Sequence, residues 1–325
     1  MVKQRQQGMA LLMALVMMAI AVTLVAGIWY SSRLTLFRTH HLQQKLQAKH
    51  LSQGLLLWAS DLLEKDYTES DQFYDNSADP WHQGIQGIIV EQAVLSGELN
   101  GMNHLFNVNN LVINDVISVE HEAYFRRLLT ALNLDVNITD KIMDWIDQDQ
   151  EPRQGGAEDF AYAAEIPPYK TAGGPFSHVN ELRLIAGMDD SQFNQLLPYV
   201  TALPVTNGAT LMNINTLPPV MIKALDNSIS EELAIRIYQQ CQASFTTMED
   251  FYKFDTIQYL DNIKQIKPIL NQLIGVQTRY MQARTEVAFK DNRQHGYVLL
   301  WRRNNGASQV VMRSPVPFLP SNLVN

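Results

Sequence analysis

The chain has 325 residues, 46% of them hydrophobic and 18% charged, with a formal net charge of −8. That balance excludes a disordered polypeptide and leaves room for two folded domains, and the acidic excess makes nucleic-acid phosphate a poor default partner. One cysteine, Cys241, excludes an internal disulfide and leaves the redox compartment open.

The first eight residues carry Lys3 and Arg5 and end in Gly8, and removing them takes the net charge from −8 to −10. Met9 to Tyr30 then runs without a charge or a proline. At about 1.5 Å per residue this run spans about 33 Å as a helix, enough to cross a hydrocarbon core of about 30 Å. A membrane helix is therefore expected, with its basic head on the cytoplasmic side and the rest of the chain placed across the bilayer. A cleaved secretory signal would be shorter and would end in an A-x-A-like site. Here the small residue at the polar-to-apolar boundary lies in front of the run. The arrangement resembles a class III, prepilin-type signal, in which a peptidase cuts after the glycine, the new amine is methylated and the helix is retained. The resemblance implies a mature chain beginning at Met9.

Proteins with such signals mostly carry Glu as the fifth mature residue, where this chain has Met13. In them the acid neutralises the terminal amine of a neighbouring subunit, since an unpaired charge in hydrocarbon costs several kcal/mol. A subunit without the acid suits the first position of a filament. An ordinary anchor would also accept an apolar residue there.

After Tyr30, leucines at near-helical spacing and the lack of a proline before Pro80 predict that the helix continues to about Lys65, its outer half packed on a domain. Trp29 and Tyr30 sit where an interfacial belt would end the span. Residues 66–86 read as an irregular connection. A strand is expected over Gly87–Leu95, followed by a hairpin partner within Leu99–Leu111 whose turn is Asn100-Gly101. Helices are expected over Ser118–Leu132 and Thr139–Gln148, the latter capped by Thr139 or Asp140. Shorter ones follow at Val179–Ala186, Ser191–Leu197, Pro218–Leu225, Glu231–Gln240 and Lys267–Ile274. Strand alternation returns at Tyr280–Phe289, Tyr297–Arg303 and Gln309–Arg313. The strands on either side of the helical stretch are too few for separate sheets, so one sheet interrupted by a helical domain is the economical solution.

Several blocks then occur in a familiar order: Gly8-Met9 without a fifth-position acid, LNGMNHLFNVNNL, DWIDQDQEPRQGGAEDFAY at 144–162, PPYKTAGGPFSHVNELRLIAGM at 167–188, LLPYVTALP at 196–204 and MNINTLPPVMIKAL at 212–225. With them the chain resembles the K-type minor pseudopilins of type II secretion systems over essentially its whole length. The resemblance implies an α+β fold: a pilin-like long N-terminal helix on an antiparallel sheet, with a large all-α domain inserted between strands. The expected division is a leader over 1–8, a transmembrane helix over 9–30, the first part of the pilin-like domain over 31–115, the insert over 116–275 and the final strands over 276–325. It further implies a non-enzymatic subunit of the bacterial inner membrane, single-pass, with its globular part in the periplasm. The implied partners are the minor pseudopilins I and J, the major pseudopilin and the prepilin peptidase.

Asp147, Asp149, Glu151, Glu158 and Asp159 form the best metal candidate. Calcium takes several oxygen ligands from a flexible loop, and Asp147, Asp149 and Glu158 match positions one, three and twelve of an EF-hand loop. Pro152 stands where that loop's turn needs Gly, and Gly155 offers no side chain at the ninth position, so the loop is not an EF-hand. A solvated acidic turn is the alternative. Calcium binding by K-type pseudopilins favours a structural calcium site with Asp147, Asp149, Glu158 and Asp159 as ligands. Leu182–Met188 and Asn213–Gln240 resemble helix-hairpin-helix modules, which opens a second reading, a nucleic-acid-binding minor pilin of a DNA-uptake machine. Nucleic-acid binders keep such hairpins Gly-rich so that backbone N–H groups reach phosphate; here the turn reads Asp226-Asn227-Ser228, which favours packing. His40 and His41 lack carboxylate or cysteine neighbours in sequence, and no nucleophile–base set stands out.

Overall fold

The computed structural model describes residues 3–69, 73–205, 208–241, 244–260, 262–290 and 292–319; the side chains of residues 3–8, 69, 255 and 256 fall outside the description. Helix α1, Lys3–Glu69, is one unbroken element of 67 residues, about 100 Å long at the usual rise. From Met9 through Tyr30 every side chain is exposed, and this part of α1 is long and apolar enough to cross a membrane. The outer half reverses that pattern: Ala48, Leu55, Leu56, Ala59 and Leu63 are buried along one stripe, because their spacing returns them to the same helix face.

The stripe packs on a five-stranded antiparallel sheet, β1 (Ile85–Val90), β2 (Ala93–Gly101), β3 (Tyr280–Phe289), β4 (Asn292–Arg302) and β5 (Ser308–Ser314), in the spatial order 1-2-3-4-5. β2 pairs with β3 from Val94↔Ala288 to Gly101↔Met281, so the sheet is continuous across the helical stretch. The sheet's two ends differ. Ala48 and Leu55 meet Ala93, Leu95, Val287 and Phe289, whereas Ala59 and Leu63 meet Trp81, Leu99, Met281 and Leu300. The end of the sheet that continues into the helices is therefore the one farther from the apolar half of α1.

A buried cation ties that far end together. Arg302 on β4 is 0% exposed. Its guanidinium pairs with Asp75, donates to Asp66 Oδ2 at 2.9 Å and to the Thr278 carbonyl at 3.0 Å, and lies 4.3 Å from the Phe73 ring centre. One side chain thus connects the end of α1, the connection after it and the re-entry into the sheet. A buried guanidinium is tolerated only where acids and carbonyls meet its N–H groups in this way.

The intervening helices share one large core: α2 (Val119–Ala131), α3 (Ile138–Ile146), α4 (Asp159–Tyr162), α5 (Asp190–Leu196), α6 (Pro219–Lys223), α7 (Glu231–Cys241), α8 (Met248–Lys253), α9 (Asp255–Gln258) and α10 (Ile263–Leu273). They fall into two similar modules. Phe106-Asn107 pairs in parallel with Val200-Thr201, and Met212-Asn213 pairs in parallel with Ile274-Gly275. The first strand of each pair runs into a 3-10 turn, Val108–Leu111 or Ile214–Thr216, in which an asparagine clamps a distant peptide. Asn109 bonds both N–H and C=O of Phe176, and Asn215 bonds both of Phe245. Buried amides are tolerated here because their own polar atoms and the backbone groups they reach satisfy one another.

Several expectations are corrected. Gly87–Leu95 is not one strand: the chain reverses at Glu91-Gln92, where Val90 pairs with Ala93 and Glu91 takes a φ of 53°. Asn100-Gly101 is no turn but the end of β2, paired with Gln282 and Met281. Glycine eases the packing at 101, where a Cβ would lie a tight 3.0 Å from Thr278 Cγ2 and 3.3 Å from Trp81 Cη2. Phe106 and Val108 consequently belong to the helical stretch rather than to a hairpin. Neither Thr139 nor Asp140 caps α3; Asn137 holds the N-cap position, and Asp140 pairs with Arg126 of α2. The last helix starts at Ile263 and carries Pro268 inside it.

Candidate metal loop and assembly helix

Helix α3 ends at Ile146, and the next twelve residues turn back to α4. Aromatic packing sets the frame: Trp145 stacks on Phe176 with ring centres 5.9 Å apart and meets Tyr162 edge-on at 5.4 Å. Two glycines let the loop close on α3. A Cβ at Gly156 would lie 1.8 Å from Asp144 Oδ2, and one at Gly155 would lie 2.4 Å from Asn137 Oδ1.

Within this frame Asp147, Asp149 and Glu158 each place a carboxylate oxygen within 4.8 Å of the others. Glu158 is 5% exposed, yet among the described residues neither of its oxygens has a hydrogen-bond partner, and Asp147 Oδ1 also lacks one. Burial, reinforced by Asp144, Asp147, Asp149 and Asp159, pushes the Glu158 carboxyl up to about 7. A dry carboxylate facing other acids without a donor is costly, and a hard cation with oxygen ligands would remove the cost. These three residues fit calcium in donor chemistry.

Asp159 is placed differently. Its Oδ1 accepts from Thr171 N at 3.0 Å and Thr171 Oγ1 at 2.9 Å, and its Oδ2 pairs with Lys170 at 3.0 Å. The Lys170 and Thr171 side chains hold its pKa below the usual range. Glu151 contributes its backbone N–H, which donates to Asp149 Oδ1 at 2.9 Å. Sequence reasoning missed Asp144 and Arg153. Arg153 bridges Asp144 and Asp147, reaching Asp147 Oδ2 at 2.6 Å, so part of the cluster's charge is met from within the loop. Asp144, two turns along the acidic face of α3 and 0% exposed, could have been noticed as the first of the series 144, 147, 149.

At the other end of the molecule, Gly8 lies within α1, but the side chains of residues 1–8 are outside the described residues. Met9 and Met13 are 64% and 58% exposed on the bare apolar part of the helix. The Asp226 turn between α6 and α7 is closed internally: Asp226 Oδ1 accepts from Ser228 and Asn262, while Arg127 donates to the Ala224 and Leu225 carbonyls at 2.7 Å.

A membrane-length helix mounted on an antiparallel sheet, with helices inserted between paired strands, defines a pilin-like α+β subunit. Comparison with known proteins narrows this. A family profile described as "Type II secretion system (T2SS), protein K" matches residues 104–205. Type II secretion system protein K of Pectobacterium carotovorum is 32% identical over 252 residues, 73% of this chain and 76% of the relative. The protein of that name from Pseudomonas aeruginosa is 26% identical over 321 residues, 96% of this chain and 93% of the relative. The fold is shared with a chain in the crystal structure of the GspK-GspI-GspJ complex from enterotoxigenic Escherichia coli, with a TM-score of 0.73 at 22% identity, covering 85% of this chain and 98% of that one. The chain belongs to the type II secretion system protein K family.

Proposed function

We propose that this chain is a minor pseudopilin that occupies the tip of the periplasmic pseudopilus, where it initiates the filament together with the I and J minor pseudopilins. The observation that carries this reading is the placement of the helical insert at the sheet end farther from the apolar half of α1. In a filament whose helices run parallel to its axis, the volume beyond that end belongs to the subunit ahead. A large insert there blocks further addition and is accommodated once, at the end. Met13 supports the same position, since a subunit lacking the acid cannot neutralise an amine ahead of it but can present its own to the subunit behind. The solved relative's association with GspI and GspJ supports the choice of partners.

On this reading the chain is cut between Gly8 and Met9 by the prepilin peptidase, methylated, and held in the inner membrane by residues 9–30 before assembly with the major pseudopilin. Its work is mechanical, so no catalytic residues are assigned. Calcium, held by the carboxylates of Asp147, Asp149 and Glu158, has a structural role, fixing the loop after α3 against the aromatic cluster. The internally closed Asp226 turn supports packing over nucleic-acid contact. Co-purification of the tagged full-length chain from inner membranes tests the partnership: I and J are expected in near-equal amounts, and recovery of the chain with neither would refute it.

A further inference from the structure

A cleft of about 940 Å³ lies where the re-entry into the sheet and the β4–β5 turn meet the second helical module. Its walls are fixed by Asn103, which is buried: Oδ1 accepts from the Arg279 and Tyr280 N–H groups at 3.0 and 2.9 Å, and Nδ2 donates to the Leu211 carbonyl at 2.6 Å. Among the described residues no acidic side chain lines the cleft, although the chain carries 33 aspartates and glutamates. Two arginines do line it. Arg279 donates to Asn304 Oδ1 at 2.6 Å and to Gln277, and Arg303 donates to Gln309 Oε1 at 2.7 Å. Neither forms an ion pair among the described residues. Asp75, whose field reaches Arg279, is already spent on Arg302 and on the Thr278 N–H. Burial and the neighbouring Arg302 lower the Arg279 pKa, the sign of a cation that a ligand anion would stabilise.

The rest of the lining is of two kinds. Asn271, Asn304 and Asn305 supply carboxamides, and Leu211, Met248 and Trp301 supply apolar surface. The volume lies at the upper end of the roughly 300–1,000 Å³ range of small-ligand sites. We propose that this cleft binds an extended acidic peptide segment of another protein. Its carboxylate sits on Arg279 and Arg303, its peptide groups meet the carboxamides, and an apolar neighbour rests on Leu211, Met248 and Trp301. Arginine forks suit carboxylates. The Thr210 N–H, beside Gly208 on the cleft wall, is spent on Asn110 Oδ1 at 2.9 Å and so is not free to hold a phosphate. The proposal does not depend on where the subunit sits in a filament.

Fluorescence anisotropy on the detergent-solubilised full chain tests it, using a labelled heptapeptide of alternating leucine and aspartate and its leucine–asparagine counterpart. The aspartate peptide is expected to bind at least tenfold more tightly, and Arg303→Glu, at an exposed position, to weaken it at least tenfold without changing the melting temperature. Arg279→Gln should weaken it as well, and Arg313→Glu, outside the cleft, should leave it unchanged. Equal binding of the two peptides, no binding below roughly 1 mM (about −4 kcal/mol), or equal losses in Arg303→Glu and Arg313→Glu would overturn the proposal.

Discussion

Glu158→Gln separates a cation-binding loop from a solvated acidic turn. In the metal-free chain the Glu158 carboxyl is held at about 7 against an ordinary 4.5. A group whose folded pKa is raised contributes stability fully below its unfolded pKa and loses it as pH rises through the folded one. At about 1.4 kcal/mol per pK unit, the loss between pH 4.5 and pH 8 is about 3 kcal/mol. Calcium opposes this, because a ligand bound only by the native state at about 100 times its Kd stabilises by about 2.7 kcal/mol. At about 2 °C per kcal/mol for a chain of this size, that is a rise of about 5 °C in Tm. The assay is thermal unfolding of the full chain in detergent, with calcium or chelator, at pH 5.5 and pH 8. Between pH 5.5 and pH 8 the chelated wild type should lose Tm relative to chelated Glu158→Gln, and calcium should restore most of that loss. Asp79, raised to about 6 by burial, titrates in the same direction, whereas His82, His104, His121 and His178, whose pKa burial lowers, gain stability as pH rises, so the difference from Glu158→Gln is what isolates the loop. That variant should lose both the calcium response and its share of the pH dependence. Superimposable calcium and chelator curves for the wild type at pH 8 would refute the reasoning.

Arg302→Met should cost about 3–5 kcal/mol in denaturant unfolding, because it strands the buried Asp75 carboxylate; Arg302→Met with Asp75→Asn should recover part of that loss. Asn215→Ala leaves the Phe245 N–H and C=O without their partner, at about 2–4 kcal/mol, and should be read from the same unfolding midpoints. Gly8→Val should leave the precursor uncut while membrane insertion survives, and mass spectrometry of the wild type should place the mature N-terminus at Met9.

Local signals carried much of this fold. The uncharged run of 9–30 and the proline-free stretch after it were enough to define α1, and the clean alternation of Tyr280–Phe289 gave β3 to the residue. What depended on distant partners was hidden. The β1–β2 turn uses Glu91 with a positive φ, a conformation that glutamate does not advertise. Asn100-Gly101 looks like a turn, yet pairing with β3 and the closeness of Trp81 and Thr278 set its role. The paired motifs Phe106-Asn107-Val108-Asn109 and Met212-Asn213-Ile214-Asn215 were visible in the sequence, but their equivalence rests on clamps to Phe176 and Phe245 that no spacing reveals. In the acidic loop, residue type and spacing pointed to Asp147, Asp149 and Glu158. Arg153, and the commitment of Asp159 to Thr171 and Lys170, became apparent only in three dimensions.

The central claim is positional, and electron microscopy of assembled pseudopili with a gold label on the C-terminal end of the chain tests it most directly. The account predicts one label per filament, at the end away from the membrane. Labels repeated along the shaft would contradict it.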